Sequence, residues 1–234
     1  MESSTKKSRA FNFMGFKITI FDPMSQRFYY LILSCLFLCA SCAEEKVDEG
    51  LRAGDLLFQD LDCGPMCNAI ETVTEGVNGM DFSHCAMVIE EHDSLKVIEA
   101  IGASVQVTSL KEFKQRSNKI VVARLKKMNE GIITRAVAYA KSLKGKPYDE
   151  VFLLNNDRYY CSELLYESFK VANHGKPIFE LAPMTFMDPA TKAYYPVWVD
   201  YYHELNCPIP EGKPGLNPGS ISRSPVLELL DFSL

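Results

Sequence analysis

Short apolar blocks recur along the chain, and their pattern predicts a sheet with a hairpin at its centre. Leu56–Phe58 follows a Gly-Asp turn and starts one strand. Residues 82–90 are apolar almost throughout, which predicts a strand buried on both faces. Residues 95–100 form the next block. Since only four residues separate these two blocks, they are expected to pair as an antiparallel hairpin.

This hairpin is expected to place two polar side chains together. His84 lies near the start of its first strand and Glu99 near the end of its second, so both stand far from the turn. Pairing the strands brings those two ends side by side. His92 lies in the turn, at the opposite end, where it is expected to face solvent.

The remaining periodic stretches predict a mixed architecture of strands and helices. Helices are expected at 68–76, 110–116, 130–144 and 159–172, and further strands at 103–107, 120–125 and 226–230. The last helix opens near Cys161, whose thiolate form a helix N-terminus favours. A polar loop, 155–157, could cap that helix. Three- and four-residue spacing puts Cys161 on the helix face that carries Leu164, Leu165, Ser168 and Phe169, so it should point toward the sheet.

The N-terminal residues predict an export segment rather than part of the fold. Arg27 precedes an apolar run of signal-peptide length, and Cys42 follows two small residues, as at a lipoprotein cleavage site. We therefore expect 1–42 to direct export, with lipidation on Cys42 and a start that would be conventional at Met24. Ordinary cleavage near residues 40–43 and an uncleaved anchor are the alternatives. Residues 43–53 are a predicted tether, and 54–234 a single domain.

Charge and cysteine content narrow the function classes. The formal charge is −5 and the first 41 residues carry a net +3, which leaves an acidic body without a basic stripe for nucleic acid. Five cysteines follow Cys42, so in an oxidising compartment at least one stays unpaired, and Cys161 is the candidate. Cys63 and Cys67 are expected to form a loop disulfide or pack as thiols. A metal is disfavoured because His84 and Cys85, the nearest further ligands, should point to opposite faces of a strand.

Cys161, His84 and Glu99 together supply the parts of a thiol-dependent catalytic site. A thiol nucleophile needs a base that takes its proton and later protonates the leaving group. The base in turn needs a polar partner that holds its ring. A cysteine on a helix start, a histidine at a strand end and a glutamate on the neighbouring strand fit those three roles.

These residues carry a family resemblance that covers about 52–185. Gly54-Asp-Leu-Leu-Phe, Phe82-Ser-His, Val97-Ile-Glu-Ala and Tyr159-Tyr-Cys-Ser-Glu-Leu, with Lys146-Pro-Tyr ahead of the last, resemble the YiiX-like proteins. Those are circularly permuted papain-like cysteine peptidases of the NlpC superfamily, in which the histidine precedes the cysteine. The resemblance implies an α+β fold whose antiparallel sheet or barrel packs against helices that include the nucleophile helix.

The resemblance also implies residue roles. Cys161 would be the nucleophile, His84 the base and acid, and Glu99 the orienting group. Tyr148 matches the family tyrosine near the oxyanion, and Tyr160 stands where unpermuted enzymes have aspartate, as is usual in the permuted branch. The implied reaction is amide hydrolysis through an acyl-thioester on Cys161, without a cofactor.

The expected protein is thus a lipid-anchored amidase or peptidase of the bacterial cell envelope, acting on peptidoglycan-derived peptides or lipid amides. One alternative is acyl transfer or lipid hydrolysis of the lecithin:retinol acyltransferase type, and another is a ligand-binding lipoprotein without turnover. A Tyr/Trp-rich segment within 181–220 either lines the cleft or packs the C-terminal loop.

Overall fold

Six strands form one antiparallel sheet in the computed structural model, which describes residues 50–73, 75–126 and 130–231. The strand order is β4-β3-β2-β1-β5-β8. The bounds are β1 Leu56–Gln59, β2 His84–Glu91, β3 Ser94–Ile101, β4 Ser104–Ser109, β5 Ile120–Leu125 and β8 Leu227–Leu230, with a separate two-stranded pair, β6 Ala182–Pro183 and β7 Pro214–Gly215.

The predicted hairpin is confirmed as β2 and β3. Its turn holds His92 and Asp93, whose φ angles of 53° and 57° suit a tight two-residue connection. The first six residues of β2 are buried, as its apolar composition predicts. The β2–β3 ladder runs from Glu91–Ser94 only as far as Met87–Ile98, so the two strands separate before they reach His84 and Glu99.

Helices cover both faces of the sheet. They are α1 Pro65–Thr72, α2 Leu110–Gln115, α3 Glu130–Ser142, α4 Cys161–Ala172, α5 Pro196–Glu204 and α6 Pro218–Ser222. Helix α4 packs on β2 and β3 with α3 beside it, and its apolar residues join the larger core with Cys85, Met87 and Ile89 of β2. Phe113 of α2 packs in the core on the opposite face, with Ala86 and Val88. The predicted α+β fold is confirmed.

The C-terminal third differs from the sequence-based prediction. Helix α5 was not predicted, and α6 lies within 212–225, which was expected to be loop throughout. Pro196 and Pro218 both sit in the first turn of their helices, where a missing N–H costs nothing. Asn217 caps α6 in a reciprocal box with Ser220. The edge strand predicted at 226–230 is confirmed as β8, which pairs with β5.

The structure tests two further predictions near its N-terminal end, the state of Cys63 and Cys67 and the start of helix α1. Cys63 and Cys67 form a disulfide, the first of the two states the sequence left open. Helix α1 begins at Pro65, three residues earlier than predicted, because proline at the first position starts a helix well. The export segment 1–42, Cys42 and most of the tether lie outside the described residues. Within the described residues no helix is long and apolar enough to cross a membrane.

Candidate active site

Cys161 is the first residue of α4, and the N-terminus of a helix favours a thiolate over a thiol. The preceding residue, Tyr160, is extended, with φ −89° and ψ 168°, and provides no side-chain cap. The loop 155–157, which could have capped this helix, supplies no side-chain cap. The side chain of Cys161 belongs to the core cluster beneath α4, yet the residue also lines a cleft. The thiol is therefore both desolvated and reachable.

His84 and Glu99 meet as the hairpin predicts. The His84 Nε2 atom lies 2.7 Å from Glu99 Oε2, and both side chains are buried. Thr108 Oγ1 donates to Glu99 Oε1 at 2.5 Å, and Arg116 Nη2 lies 2.7 Å from each carboxylate oxygen. Burial alone would raise the pKa of Glu99, but these donors outweigh it and hold that pKa below its usual value. Glu99 is thus an anion fixed from three sides.

The His84 ring links Glu99 to Cys161. Because Nε2 faces Glu99, Nδ1 is the ring nitrogen that remains to interact with Cys161. Burial disfavours a charged imidazole, but the bonds and charges of Cys161 and Glu99 prevail and raise the pKa of His84 to about 9. The structure therefore joins His84 to Glu99 through a buried hydrogen bond and couples the imidazole electrostatically to Cys161.

The pKa of the Cys161 thiol is shifted downward, opposite to the shift of the His84 pKa. Its hydrogen bond with the Cys85 side chain is the largest influence and lowers its pKa. Burial opposes that effect, while the hydrogen bond and charge of His84 and the backbone N–H of Cys85 add to it. The balance holds the pKa of Cys161 well below its usual range. A thiolate facing an imidazolium is the favoured state of the pair.

Cys85 was not singled out from the sequence as a site residue. It points to the α4 face of the sheet, whereas the His84 ring packs against Phe113, with ring centroids 6.2 Å apart. The prediction that these neighbours face opposite sides is correct, although both interact with Cys161. Burial raises the pKa of Cys85 well above its usual value, so it remains a thiol.

Two tyrosines predicted from the family resemblance, Tyr148 and Tyr160, lie in the wall of the cleft. Tyr148 is held by a backbone bond to Ala103 O at 2.9 Å and by a bridge to Tyr159. Burial, and next the charge of Cys161, raise the pKa of Tyr148 well above its usual value, so its hydroxyl is a neutral donor. Burial likewise raises the pKa of Tyr160. Both residues line the same cleft as Cys161.

That cleft has a volume of about 250 Å³ and is walled mainly by apolar side chains. Phe152 lines this cleft and packs edge-on to Tyr148, Tyr160 and Trp198, with ring centroids 5.5–6.4 Å apart. Trp198 lines the cleft, while Tyr202 is buried in the cluster behind it. The aromatic segment therefore has both roles that the sequence left open: part of it lines the cleft, and part of it packs in the C-terminal region. Other lining residues are Ile70, Val73, Met184, Phe186, Leu216 and Arg223.

Thr108, Arg116, Cys85 and Phe152 are the site residues that sequence reasoning missed. Thr108 and Gln106 share a face of β4, and Gln106 pairs with Glu99. A count along a third strand could therefore have placed Thr108 near the carboxylate. Nothing in the local pattern points to Arg116, which lies just past the end of α2 and reaches Glu99 only through the tertiary fold.

Comparison with known proteins adds a family description. Residues 50–231 match the family described as "permuted papain-like amidase enzyme, YaeF/YiiX, C92 family". The chain is 31% identical over 128 residues to the uncharacterized protein YiiX of Escherichia coli strain K12, an alignment that covers 52% of this chain and 58% of that protein. The chain thus spans a little over half the length of this curated relative.

A solved structure is also similar. It is described as the crystal structure of metalloprotein YiiX from Escherichia coli O157:H7, and it matches with a TM-score of 0.65 and 25% identity. The match covers 76% of this chain and 96% of that one.

Proposed function

Since the chain belongs to the family of permuted papain-like amidases, we propose that it is a cysteine amidase that cleaves its substrate through an acyl-thioester on Cys161. The observation that carries the proposal is the buried His84–Glu99 hydrogen bond, together with the coupling of His84 to Cys161 that shifts their pKa values in opposite directions. A nucleophile, an acid–base group and an orienting anion stand in the order that this chemistry needs.

In the proposed mechanism the Cys161 thiolate attacks the amide carbonyl carbon. The backbone N–H of Cys161 and the Tyr148 hydroxyl stabilise the resulting oxyanion. The protonated His84 gives its proton to the amine nitrogen, the C–N bond breaks, and the amine leaves. His84 then takes a proton from water, which attacks the thioester and releases the carboxylic acid. Glu99 holds the ring and stabilises its charged form throughout.

Arg116 and Thr108 are positioning residues in this scheme. Their bonds fix the carboxylate of Glu99 against His84 and keep it ionised. A carboxylate free to rotate would lose the imidazole orientation on which both proton transfers depend.

The description of the Escherichia coli relative as a metalloprotein invites a test for a metal site here. Among the residues that the structure describes, no group of three or more His, Cys, Asp or Glu side chains could hold a metal ion. The guanidinium of Arg116 also contacts both oxygens of Glu99, which disfavours a dication beside that carboxylate. The residues do not fit a metal, and no step is derived through one.

The substrate class follows from the cleft. Its apolar walls suit a hydrophobic acyl group or side chain, so the proposed substrates are lipid amides or peptides that present an apolar residue at the scissile bond. The proposed location is the bacterial cell envelope, with lipid attached at Cys42, and its support is the export pattern of residues 1–42.

Mass spectrometry tests this function. The purified protein is incubated with a panel of N-acyl amides and muropeptides, with Cys161→Ser and Cys207→Ser as paired variants. We expect free acid and amine from the wild type and Cys207→Ser, an acyl adduct on Cys161 under rapid quenching, and no turnover by Cys161→Ser. Product joined to an added amine or lipid acceptor would instead establish acyl transfer. Turnover by Cys161→Ser would refute the assignment of the nucleophile.

A further inference from the structure

Arg223 is the one charged residue, apart from the Cys161 thiolate, among the described residues that line the cleft. The other lining residues are apolar or aromatic, or carry a neutral hydroxyl or amide. No aspartate or glutamate from the described part of the chain lines the cleft, so nothing in its wall neutralises the guanidinium. The amide chemistry proposed above makes no use of this charge.

The guanidinium of Arg223 has no hydrogen-bond or ion-pair partner among the residues that the structure describes. Other arginines of the fold are paired, Arg116 with Glu99 and Arg124 with Asp55. Arginine presents five N–H donors in a planar fork that matches the two oxygens of a carboxylate. At Arg223 these donors remain for a ligand in the cleft.

The backbone that carries Arg223 is fixed against the nucleophile helix. Ser162, which follows Cys161, donates from its buried hydroxyl to Leu216 O at 2.9 Å, just ahead of α6. Ser222, next to Arg223, is also buried, and its hydroxyl both accepts a backbone N–H and donates to a backbone carbonyl. The side chain of Arg223 can therefore move to bind a ligand while its Cα stays at a set distance from Cys161.

Arg223 lies where the cleft opens to solvent. It is exposed, as are Ala182, Pro183 and Thr185 of the lining, whereas Trp198 and several other apolar lining residues are buried. An elongated substrate would place its apolar portion against the buried walls and its polar portion at this opening, because a polar group loses hydration when it is buried. Arg223 would then face the polar portion.

A carboxylate fits Arg223 better than a phosphate group does. The guanidinium carries one positive charge and binds a carboxylate through two parallel hydrogen bonds. A phosphate monoester holds close to two negative charges at neutral pH, and no second cationic side chain of the described residues lines the cleft. Apolar surroundings also strengthen a charge-assisted bond relative to bulk water.

We propose that Arg223 determines substrate specificity by binding a carboxylate on the amine portion of the substrate, an inference that rests on the proposed amidase function. The preferred substrates are therefore N-acyl amino acids, in which the acyl portion is a fatty acid or a peptide. The apolar walls hold the acyl portion, and Arg223 holds the carboxylate of the amino acid that leaves. Hydrolysis consumes one water and yields the carboxylic acid and the free amino acid.

Fluorescence titration tests the proposal without turnover. Trp198 is the sole tryptophan of the chain and lines the cleft, so its emission reports a ligand bound there. The Cys161→Ala protein is titrated with dodecanoylglycine and with its neutral analogue, dodecanoylglycinamide. We expect the carboxylate form to bind about 10-fold more tightly. This preference should shrink as the salt concentration rises, because salt screens an exposed charge.

Matched variants assign the preference to one side chain. Arg223→Gln in the same background should bind both forms equally. Arg223→Lys should keep part of the preference, because lysine retains the charge without the planar fork. Arg52→Gln removes an exposed arginine outside the cleft and should keep all of it. Circular dichroism confirms that each variant is folded.

A second pair of probes distinguishes the two sources of the acyl portion. Acetylphenylalanylglycine and its C-terminal amide replace the fatty acyl chain with a short peptide, and the carboxylate form that binds more tightly identifies the acyl class. The proposal is overturned if the protein with Arg223 binds the anionic and neutral forms equally in both pairs, if it binds none of them, or if the preference survives in Arg223→Gln.

Kinetics with Cys161 intact separate this inference from the proposed function. Arg223→Gln should raise KM for dodecanoylglycine about 10-fold with a much smaller change in kcat, because in this scheme Arg223 binds no reacting atom. Hydrolysis of neutral amides as efficiently as of N-acyl amino acids would refute the role of Arg223 and leave the amidase standing. A carboxylate preference in binding, without hydrolysis of any amide, would refute the amidase alone.

Discussion

The catalytic side of the molecule and its cleft wall are built differently. The catalytic side consists of β2, β3, β4 and the start of α4, and ladder register and short hydrogen bonds fix its side chains. The cleft wall consists of α1, residues 149–153, residues 182–186, α5 and α6, and aromatic rings packed edge to face hold much of it. Different parts of the structure thus hold the reacting groups and the substrate. Mutations on the catalytic side should therefore lower turnover, and mutations in the cleft wall should weaken binding.

The largest expected effect lies on the catalytic side. Cys161→Ala should lower kcat/KM by at least about 10³-fold, because no other described group is placed to form the thioester. His84→Ala should cost nearly as much, and the double variant little more, because the two residues act as one unit. Steady-state kinetics on the best amide substrate measure both losses. Independent, multiplying losses would contradict the coupling of His84 to Cys161.

Glu99→Gln should come next, with a fall in kcat of about 10²-fold. The amide cannot stabilise the imidazolium, so the pKa of His84 should fall from about 9. Wild-type activity should decline as pH rises through about 9, where His84 loses the proton that it gives to the leaving amine, and this limb should shift to lower pH in the variant. Glu91→Gln, in a partly exposed ion pair with Lys96 at the turn end of the hairpin, is the matched control and should change neither rate nor profile.

A change in the cleft wall should show up as altered binding. Phe152→Ala removes the ring around which the wall packs, and we expect KM to rise about 10-fold with kcat nearly unchanged, in line with about 1.4 kcal/mol of lost apolar contact. Leu153→Ala, its exposed neighbour, serves as control. A fall in kcat at constant KM would show that the cleft wall also positions the reacting atoms. That result would contradict the separation of binding and turnover between the two regions.

The smallest expected effect concerns Glu163 of α4 and how steeply the free energy of unfolding of the protein changes with pH. Glu163 is almost fully buried, and burial, then the nearby Asp149, raise its pKa to about 8. A folded-state pKa above the unfolded value of about 4.3 means that the native state binds more protons between those values, so stability falls as pH rises through that window. Glu163→Gln should flatten this slope, whereas Glu167→Gln, one turn later, should not. Urea titrations at pH 5, 7 and 9 measure it; parallel slopes in wild type and Glu163→Gln would contradict it.

The same division explains how much the sequence can predict. His84 and Glu99 could be paired by counting residues from one turn, because a hairpin relates positions by simple addition. Helix periodicity in the sequence was enough to predict that α4 starts near Cys161. The contact of Arg116 with Glu99 could not be predicted in this way, since it depends on how α2 lies across the sheet.

The cleft wall was harder to predict for a different reason. Its elements are short, and β6 and β7 have two residues each. The helix α5 is opened by Pro196 within a stretch rich in aromatic residues, where no clear apolar stripe appears. Packing among rings from distant segments, such as Phe152 with Trp198, determines the shape there, and local pattern carries little of that information.

The order of the three site residues along the chain bears on biosynthesis. A ribosome makes the hairpin that carries His84 and Glu99 before it reaches Cys161. At several residues per second, that interval lasts a few seconds or more, long enough for a hairpin to form. His84 and Glu99 can therefore pair before Cys161 is translated, so that Cys161 joins a histidine whose orienting carboxylate is already present. The order in which the parts are translated matches the order in which the proposed chemistry depends on them.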